Sequence, residues 1–256
     1  MNGNRWVTAA VFCGLAAGVG TARAADEWEG GDNSCTTTGA TLAHGVRQTH
    51  DLEGAAPAFD VDWALVQQRA YRSYEVRLAS STLTFAQTST LQLSACPTGV
   101  LQAAVPFEGA AWDAVGLRWL STGDGSVYTR TTAGSTQTAR SRYEIQLLET
   151  TYACPRFNNS ATQQTILLVQ NTRAETVTGQ IHFFRADGTL RHSEPFTIAA
   201  RGLLVLNTSA VAALAGQSGS ALVAHDGGYG ALAGKAVSLE PATGFAFDTL
   251  LTPIPY

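Results

Sequence analysis

The chain is divided into short apolar runs rich in β-forming residues, with polar positions between them. Gly, Asn, Asp, Ser and Thr separate these runs at intervals of about 8 to 15 residues. Runs of this length and spacing are typical of β-sandwiches, so the pattern predicts an all-β protein. The clearest runs are Ser73–Ser80, Ser89–Ala95, Arg142–Glu149, Thr165–Asn171, Gln180–Ala186 and Leu203–Thr208.

Turn residues predict two hairpins in the second half of the chain. The dipeptide Asp187-Gly188 accepts the positive φ angles of a tight turn and should join the run before it to the strand that follows. A second hairpin is predicted from Ser220–His225, through the turn Asp226–Gly228, into the segment Gly230–Leu239.

One segment, Asn207–Gly216, has the character of a helix. Asn207 or Thr208 is a suitable N-cap, and Gly216 is a suitable stop. We predict one or two helical turns that bridge two strands.

The first residues have the features of an export signal. Arg5 precedes an apolar run, Trp6–Val19, and a small-x-small pattern, Ala22–Ala24, follows it. The run is shorter than the roughly 20 apolar residues that cross a bilayer, and no later stretch reaches that length. We therefore predict that residues 1–24 are a cleaved signal peptide, and that Cys13 is discarded with it.

The remaining chain is long enough for two domains, and we place their boundary near Pro155. Proline cannot donate to a β-ladder, so it is expected outside a central strand. The predicted organisation is a flexible start at residues 25–34, a first β-sandwich at 35–154 and a second at 155–256. Two long loops exposed to solvent are predicted at Pro106–Asp113 and Ser121–Arg142.

The charge of the chain excludes two classes of partner. The sequence has 16 Lys and Arg against 20 Asp and Glu. Removal of Arg5 and Arg23 with the signal leaves 14 basic side chains against 20 acidic ones, a net charge near −6, with Lys235 as the one lysine. Nucleic acids and anionic membranes bind clustered positive charge, so neither is an expected partner.

Three cysteines remain after export: Cys35, Cys96 and Cys154. Their spacing fits neither a zinc site nor a redox Cys-x-x-Cys motif, and an oxidising compartment favours one disulfide and one free thiol. Cys35 and Cys154 bracket the first predicted domain, which slightly favours their pairing. Pairing of Cys96 with either neighbour stays open.

The stretch Phe59–Trp63, with sequence FDVDW, sets two carboxylates two residues apart. Asp60 and Asp62 are candidate calcium ligands, because oxygen ligands at alternating loop positions suit this cation, although further ligands would be needed. The alternative is structural: the carboxylates support the loop while Trp63 packs into the core. We expect the structural role.

No catalytic motif is complete in the sequence. The segment Gly216–Ser220, GQSGS, is one residue away from the G-x-S-x-G nucleophile elbow and leads into a strand. The histidines do not have paired metal-binding spacing. A Ser-His-Asp site built from distant loops stays open, because such sites are defined in space. The histidines are His44, His50, His182, His192 and His225.

Each half of the chain also resembles a known type of domain. The order of Asp-x-Asp-Trp at Asp60–Trp63 and the strand RYEIQLLE at Arg142–Glu149 resembles bacterial pre-peptidase C-terminal domains over residues 35–150. That resemblance implies a jelly-roll-like sandwich of secreted or surface proteins, some of which bind calcium near this end. The usual Asp- and Gly-rich turn of that family is replaced by CPTGVLQ at Cys96–Gln102. Residues 156–256 resemble an immunoglobulin-like sandwich of exported bacterial proteins.

Together these features predict an exported, non-enzymatic β-sandwich protein that serves as a binding, adhesion or accessory module. Its expected location is the periplasm, the cell surface or the medium, and its expected partner is a protein or a glycan. We predict no membrane span and no cofactor other than the candidate calcium. A secreted hydrolase with a loop-built site, and a structural subunit of an extracellular assembly, are the alternatives.

Overall fold

The computed structural model describes residues 27–28, 31–52, 60–80, 89–96, 99–107, 115–132 and 141–254. In these ranges the protein is nearly all β, as predicted, and every pairing between named strands is antiparallel. The predicted signal peptide with Cys13 lies outside the described residues, as do parts of both predicted loops. None of the helices in the described ranges has the length and hydropathy needed to cross a membrane.

The first strand set contains eight strands in two sheets. They are β1 (Arg47–Leu52), β2 (Val61–Gln68), β3 (Ser73–Ser80), β4 (Ser89–Ser94), β5 (Val100–Phe107), β6 (Val115–Leu120), β7 (Gly125–Thr132) and β8 (Ser141–Glu149). The sheet orders are β1-β8-β3-β6 and β2-β7-β4-β5. Strand β7 lies inside the segment predicted as a solvated loop, so that prediction is wrong over Gly125–Thr132.

The second strand set contains nine strands and two short 3-10 helices. The strands are β9 (Tyr152–Asn158), β10 (Gln164–Asn171), β11 (Val177–Phe184), β12 (Leu190–Ile198), β13 (Leu203–Asn207), β14 (Ser218–His225), β15 (Leu232–Glu240), β16 (Phe245–Leu250) and β17 (Thr252–Pro253). The helices η1 (Thr208–Ala210) and η2 (Ala212–Leu214) lie between β13 and β14. The sheet orders are β13-β10-β15-β16 and β12-β11-β14-β9-β17.

Each strand set encloses its own cluster of buried hydrophobic side chains. Side chains alternate between the two faces of a strand, so one face of each amphipathic strand supplies the core. Strand β10, for example, buries Leu167 and Val169 in the second cluster. The first cluster includes Ala64, Val66, Val76, Leu78, Leu117, Ile145 and Leu147, and the second includes Phe157, Ile181, Phe183 and Val223.

The division between the two strand sets differs from the boundary predicted at Pro155. Strand β8 ends at Glu149, and β9 starts at Tyr152 and runs through Pro155. The proline is accepted because the pairing of β9 with β14 is irregular between Gly219 and Ala221, and β17 pairs only with the start of β9. A proline without an N–H is tolerated at such a bulge.

The predicted turns have different outcomes. Asp187-Gly188 joins β11 to β12, with Gly188 at φ +82°, so the first hairpin is confirmed. The second is wrong, because β14 and β15 belong to different sheets and Asp226–Gly228 lies in a crossover between them. The predicted helix is two 3-10 turns, and the side chain of Asn207 caps the first by accepting from the N–H of Ser209.

The disulfide joins Cys35 to Cys96, with Cα atoms 5.7 Å apart. The favoured pairing of Cys35 with Cys154 is therefore wrong. Cys154 is a buried free thiol on the inward face of β9 and packs in the second cluster, whereas Cys35 lies before β1. Burial raises the pKa of the Cys154 thiol, although the nearby Arg156 carbonyl accepts its hydrogen bond at 3.3 Å.

Candidate functional site

Strand β2 turns Asp62 and Trp63 to opposite faces. Successive side chains of a strand alternate, and the inward face of β2 carries Asp62 and then Ala64. Trp63 is half-buried on the other face, where the Arg130 guanidinium lies 5.6 Å from its ring centroid and Tyr128 meets it edge-on at 6.4 Å. The expectation that Trp63 fills the core is wrong, because the inward position carries a carboxylate instead.

Asp60 and Asp62 have different surroundings. Asp60 is half-buried and accepts from the N–H of Val61 at 2.9 Å, as a loop-supporting carboxylate does. Asp62 is buried and accepts from the hydroxyl of Tyr143 at 2.7 Å. Among the described residues, Asp62 takes part in a converging set of metal-type donors that does not include Asp60. Joint calcium binding by the two carboxylates stays a prediction.

Asp62 lies in a buried group with Asp32 and His50, which we call the Asp–His–Asp cluster. One carboxylate oxygen of each aspartate and one ring nitrogen of His50 all lie within 4.8 Å of one another. The exposed fractions are 2% for Asp32, 1% for His50 and 3% for Asp62. The N–H of Trp63 donates to the Asp32 carbonyl at 2.7 Å, which fixes Asp32 beside β2. The fold therefore brings together two acids that are distant in sequence.

Both ring nitrogens of His50 face oxygen atoms. Nδ1 lies 3.3 Å from Oδ2 of Asp32, and Nε2 lies 3.3 Å from Oε1 of Gln48. The amide of Gln48 is oriented by its own Nε2, which donates to the Thr41 carbonyl at 2.8 Å. A neutral imidazole has one N–H, so it can donate to one of these two oxygens.

Two aromatic rings stack against the imidazole of His50. The ring centroid of Trp28 lies 5.9 Å away with an interplanar angle of 16°, and that of Tyr143 lies 5.5 Å away with an angle of 18°. Burial raises the pKa of Tyr143 well above its ordinary value, and the Asp62 charge raises it further. The hydroxyl therefore stays protonated and donates a hydrogen bond to Asp62. The rings fix the plane of the imidazole.

A second buried charged group, the junction network, connects the two strand sets. Glu75 on β3 is 1% exposed, and its carboxylate contacts the guanidinium groups of Arg77 at 2.7 Å and Arg118 at 2.9 Å. It also accepts from the N–H of Tyr229, in the β14–β15 crossover, at 2.9 Å. Gly228 permits this approach, because a Cβ there would lie 2.9 Å from Nη2 of Arg118.

The junction network keeps Glu75 ionised. Burial raises the pKa of this carboxyl, but the N–H of Tyr229 and the guanidinium groups of Arg77 and Arg118 lower it more. The net pKa lies below the ordinary value of 4.5. Glu75 thus has a matched set of donors although it is fully buried.

His225 is a neutral structural link at the same junction. Its Nε2 donates to the Thr150 carbonyl at 2.9 Å, and Nδ1 has no hydrogen-bond partner among the described residues. Burial lowers its pKa to about 4, against the opposing effects of the Thr150 carbonyl and the Asp226 charge. Asp226 faces Thr178 instead, accepting from its N–H at 2.7 Å and its hydroxyl at 2.6 Å.

A cavity of about 400 Å³ lies beside the junction, and we call it the junction cavity. One polar wall of the cavity is formed by Arg72, Glu149 and His44. Arg72 contacts the Glu149 carboxylate at 2.7 Å, and His44 Nδ1 accepts from the N–H of Glu149 at 2.8 Å. Burial lowers the pKa of His44, and the Glu149 charge only partly offsets this. Ile254, near the end of the described chain, also lines the cavity.

Arg69 and Tyr74 form the other polar wall of the junction cavity. The side chain of Arg69 is exposed and makes no ion pair with any residue in the described ranges. The hydroxyl of Tyr74 accepts from the N–H of Arg69 at 2.8 Å. Burial raises the pKa of Tyr74 to about 12, so this hydroxyl stays protonated and can donate.

A serine and a histidine meet on the confirmed β11–β12 hairpin. His182 Nδ1 lies 2.8 Å from Oγ of Ser193, its direct cross-strand neighbour. Burial lowers the pKa of His182, and Tyr71 packs against its ring at 5.0 Å between centroids. The hairpin's other histidine, His192, binds Glu194 at 2.8 Å instead.

The sequence contained partial signals for these sites. With Asp187-Gly188 as the turn, simple antiparallel counting sets His182 opposite Ser193, so this pair could have been found. Asp32 and His50 had no local signal for their approach to Asp62, because they come from separate segments. The Arg69 wall likewise depends on how β2 and β3 are connected.

Comparison with solved structures gives distant likenesses. No protein-family model and no curated protein matches this sequence. A fucolectin from striped bass (Morone saxatilis) serum aligns over 81% of this chain and 86% of its own, with 7% identity and a TM-score of 0.26. A Bacteroides uniformis β-glucuronidase, covalently bound to cyclophellitol-6-carboxylate aziridine, aligns over 80% of this chain and 31% of its own, with 11% identity and a TM-score of 0.24. Likenesses this low establish neither fold nor function.

Proposed function

We propose that this protein is an exported, non-enzymatic binding module of two consecutive β-sandwiches. Eight strands in two four-stranded sheets, with neighbours from distant parts of the chain, support a jelly-roll for the first sandwich. The four- and five-stranded sheets of β9–β17 support an immunoglobulin-like second one. The resemblances to pre-peptidase C-terminal and immunoglobulin-like domains belong to this proposal. The Cys35–Cys96 disulfide supports an oxidising compartment.

The observation that carries the binding role is the unmatched cation in the wall of the junction cavity. Arg69 presents a guanidinium without an ion pair among the described residues, beside the protonated hydroxyl of Tyr74. A planar guanidinium fork binds carboxylates with two parallel hydrogen bonds. The proposed ligand is therefore a small molecule that bears a carboxylate, with an acidic sugar as the glycan form.

The acid and the base that line the cavity, Glu149 and His44, already have partners within the protein. This favours binding over chemistry. The carboxylate of Glu149 lies against Arg72, and the Nδ1 lone pair of His44 is used by a backbone N–H. A general base needs a lone pair within reach of the substrate proton. These contacts make the wall rigid and leave Arg69 as the group that meets a ligand.

Thermal-shift and calorimetric titrations test this role. The probes are glucuronate, galacturonate and citrate, with glucose and galactose as neutral controls. We expect saturable stabilisation by the carboxylates, its loss in Arg69→Gln and its retention in Arg47→Gln, whose exposed side chain pairs with Glu144 at 3.4 Å outside the cavity. Binding by citrate but not by uronates would separate a bare carboxylate site from an acidic-sugar site. Equal responses of both variants would contradict the proposal.

Export has its own test. Intact-mass spectrometry of protein recovered from the periplasm or medium should give a chain that starts near Ala25. Retention of Met1, or a lipid on Cys13, would contradict export by a cleaved signal.

The second candidate function is a hydrolase that uses the Ser193–His182 pair. The 2.8 Å contact is within the range of a nucleophile and its base, and this is the observation that favours it. The assay is hydrolysis of p-nitrophenyl acetate by the wild type and Ser193→Ala. Activity lost in this variant would favour the hydrolase, and equal background rates would support the binding role.

A further inference from the structure

The donor set of the Asp–His–Asp cluster has the composition and compactness of a metal site. Asp32, His50 and Asp62 each offer one donor atom, and these atoms all lie within 4.8 Å of one another. Ligands about 2.0 to 2.2 Å from a zinc ion are separated by roughly 3 to 4 Å, so small side-chain rotations close this set around an ion. Three protein ligands also leave a position for a further ligand.

The three donors are buried together. Two carboxylates and one imidazole lie almost completely away from water. Charged groups are buried mainly where they are paired or coordinate a metal. A divalent cation between the three donors would be coordinated by all of them.

The orientation of His50 is an independent indication of a cation. Gln48 Oε1 faces Nε2, and its amide orientation is fixed by the hydrogen bond to the Thr41 carbonyl. If Nε2–H donates to Gln48, the lone pair of Nδ1 points at the carboxylate of Asp32, 3.3 Å away. Two lone pairs at this distance repel, and a metal ion between them removes this repulsion, as a second ring proton would.

From these observations we infer that Asp32, His50 and Asp62 bind a divalent transition metal, with zinc the best match. An imidazole nitrogen with two carboxylate oxygens suits zinc, whereas calcium takes oxygen ligands and six to eight of them. The surroundings have the form of a second coordination shell: Gln48 fixes the His50 tautomer, and Tyr143 donates to Asp62 at 2.7 Å. The stacked rings of Trp28 and Tyr143 orient the imidazole.

The test uses the untagged mature chain, stripped with EDTA and titrated with zinc, cobalt or calcium chloride. We expect one zinc per chain by mass spectrometry of metals, a zinc-dependent rise in Tm, and a visible cobalt spectrum. Asp62→Asn and His50→Gln should lose the zinc response. Asp60→Asn, with a carboxylate two residues away and outside the cluster, should keep it. Tyr143→Phe should weaken zinc binding roughly 10-fold.

The wild-type titration keeps the inference falsifiable if the ligand variants fold poorly. No zinc-dependent shift of wild-type Tm, or an equal shift in Asp62→Asn, overturns it. A larger response to calcium than to zinc also overturns it, because the nitrogen ligand would then have no role. Nitrogen chemical shifts of His50 that show protons on both ring nitrogens, unchanged by zinc, would place a proton rather than a metal between His50 and Asp32, and would also overturn the inference.

Discussion

The two buried charged groups of this protein surround their carboxylates with different partners. In the junction network, Glu75 is matched by two guanidinium groups and a backbone N–H. In the Asp–His–Asp cluster, two carboxylates face one imidazole whose second nitrogen is already directed at an amide oxygen. The difference teaches that a buried acid is not one kind of feature: its role depends on which donor atoms the fold places around it.

The largest expected effect comes from removing the acid of the matched group. Glu75→Gln leaves Arg77 and Arg118 without their shared anion. We expect a loss near the lower end of roughly 3 to 5 kcal/mol in the free energy of unfolding, because both arginines keep about a third of their side-chain surface in water. Chemical denaturation measures it, with Glu144→Gln at the exposed pair with Arg47 as control. A loss no larger than that of the control would show that the junction network adds nothing.

The pH dependence of stability tests the neutral partner at the junction. His225 has a pKa of about 4 in the folded chain against 6.5 for an ordinary histidine. Stability should be complete above pH 6.5 and fall by up to about 3 kcal/mol as the pH drops toward 4, since the unfolded chain binds the proton first. Denaturation curves of wild type and His225→Gln between pH 7 and 4 measure this. Parallel curves would contradict the assignment.

Replacing one acid of the Asp–His–Asp cluster should give a response that depends on metal. In EDTA, Asp32→Asn keeps a side chain of similar size and hydrogen-bonding capacity beside His50, so we expect little change in stability. With zinc at a hundredfold excess over its dissociation constant, the wild type should gain about 2.7 kcal/mol and this variant should not. The measurement is Tm with and without zinc. A variant that is equally destabilised in both conditions would make Asp32 a simple structural acid, like Glu75.

The smallest effect is expected on the outward face of β2. Trp63→Ala removes a half-buried ring with its contacts to Arg130 and Tyr128, which we expect to lower stability by about 1 to 2 kcal/mol. Leu78→Ala, at a fully buried position of the first cluster, should lower it by roughly 2 to 5 kcal/mol. Urea denaturation compares the two. A greater loss for Trp63→Ala would contradict the register of β2.

The sequence is sufficient to predict the fold class, but it does not predict which face of β2 is buried. Apolar runs such as Thr165–Asn171 form strands as predicted, because the alternation of side chains along the run decides which face of the strand is buried. For β2 the sequence predicts that Trp63 packs into the core, yet the alternating set Asp62, Ala64 and Val66 faces inward. Strand β7 was missed because its buried positions at one end are threonines, Thr129 and Thr131, which are common in loops.

The sites were less predictable than the strands for a physical reason. Asp32, His50 and Asp62 lie on three separate segments, and no local spacing encodes their approach. The Cys35–Cys96 bridge depends on the Asp32–Leu42 segment running beside β2, where the Ala40 carbonyl accepts from the N–H of Leu65 at 2.8 Å. Local pattern specifies elements, whereas sites depend on how the sheets are assembled.

The central claim is that the carboxylates of the Asp–His–Asp cluster bind a metal, and crystallography at the zinc absorption edge tests it most directly. Crystals of the mature chain grown with zinc should give an anomalous peak about 2 Å from a carboxylate oxygen of Asp32, Nδ1 of His50 and a carboxylate oxygen of Asp62. A map without a peak between these three residues, together with direct contact between Asp32 and His50, would contradict the claim.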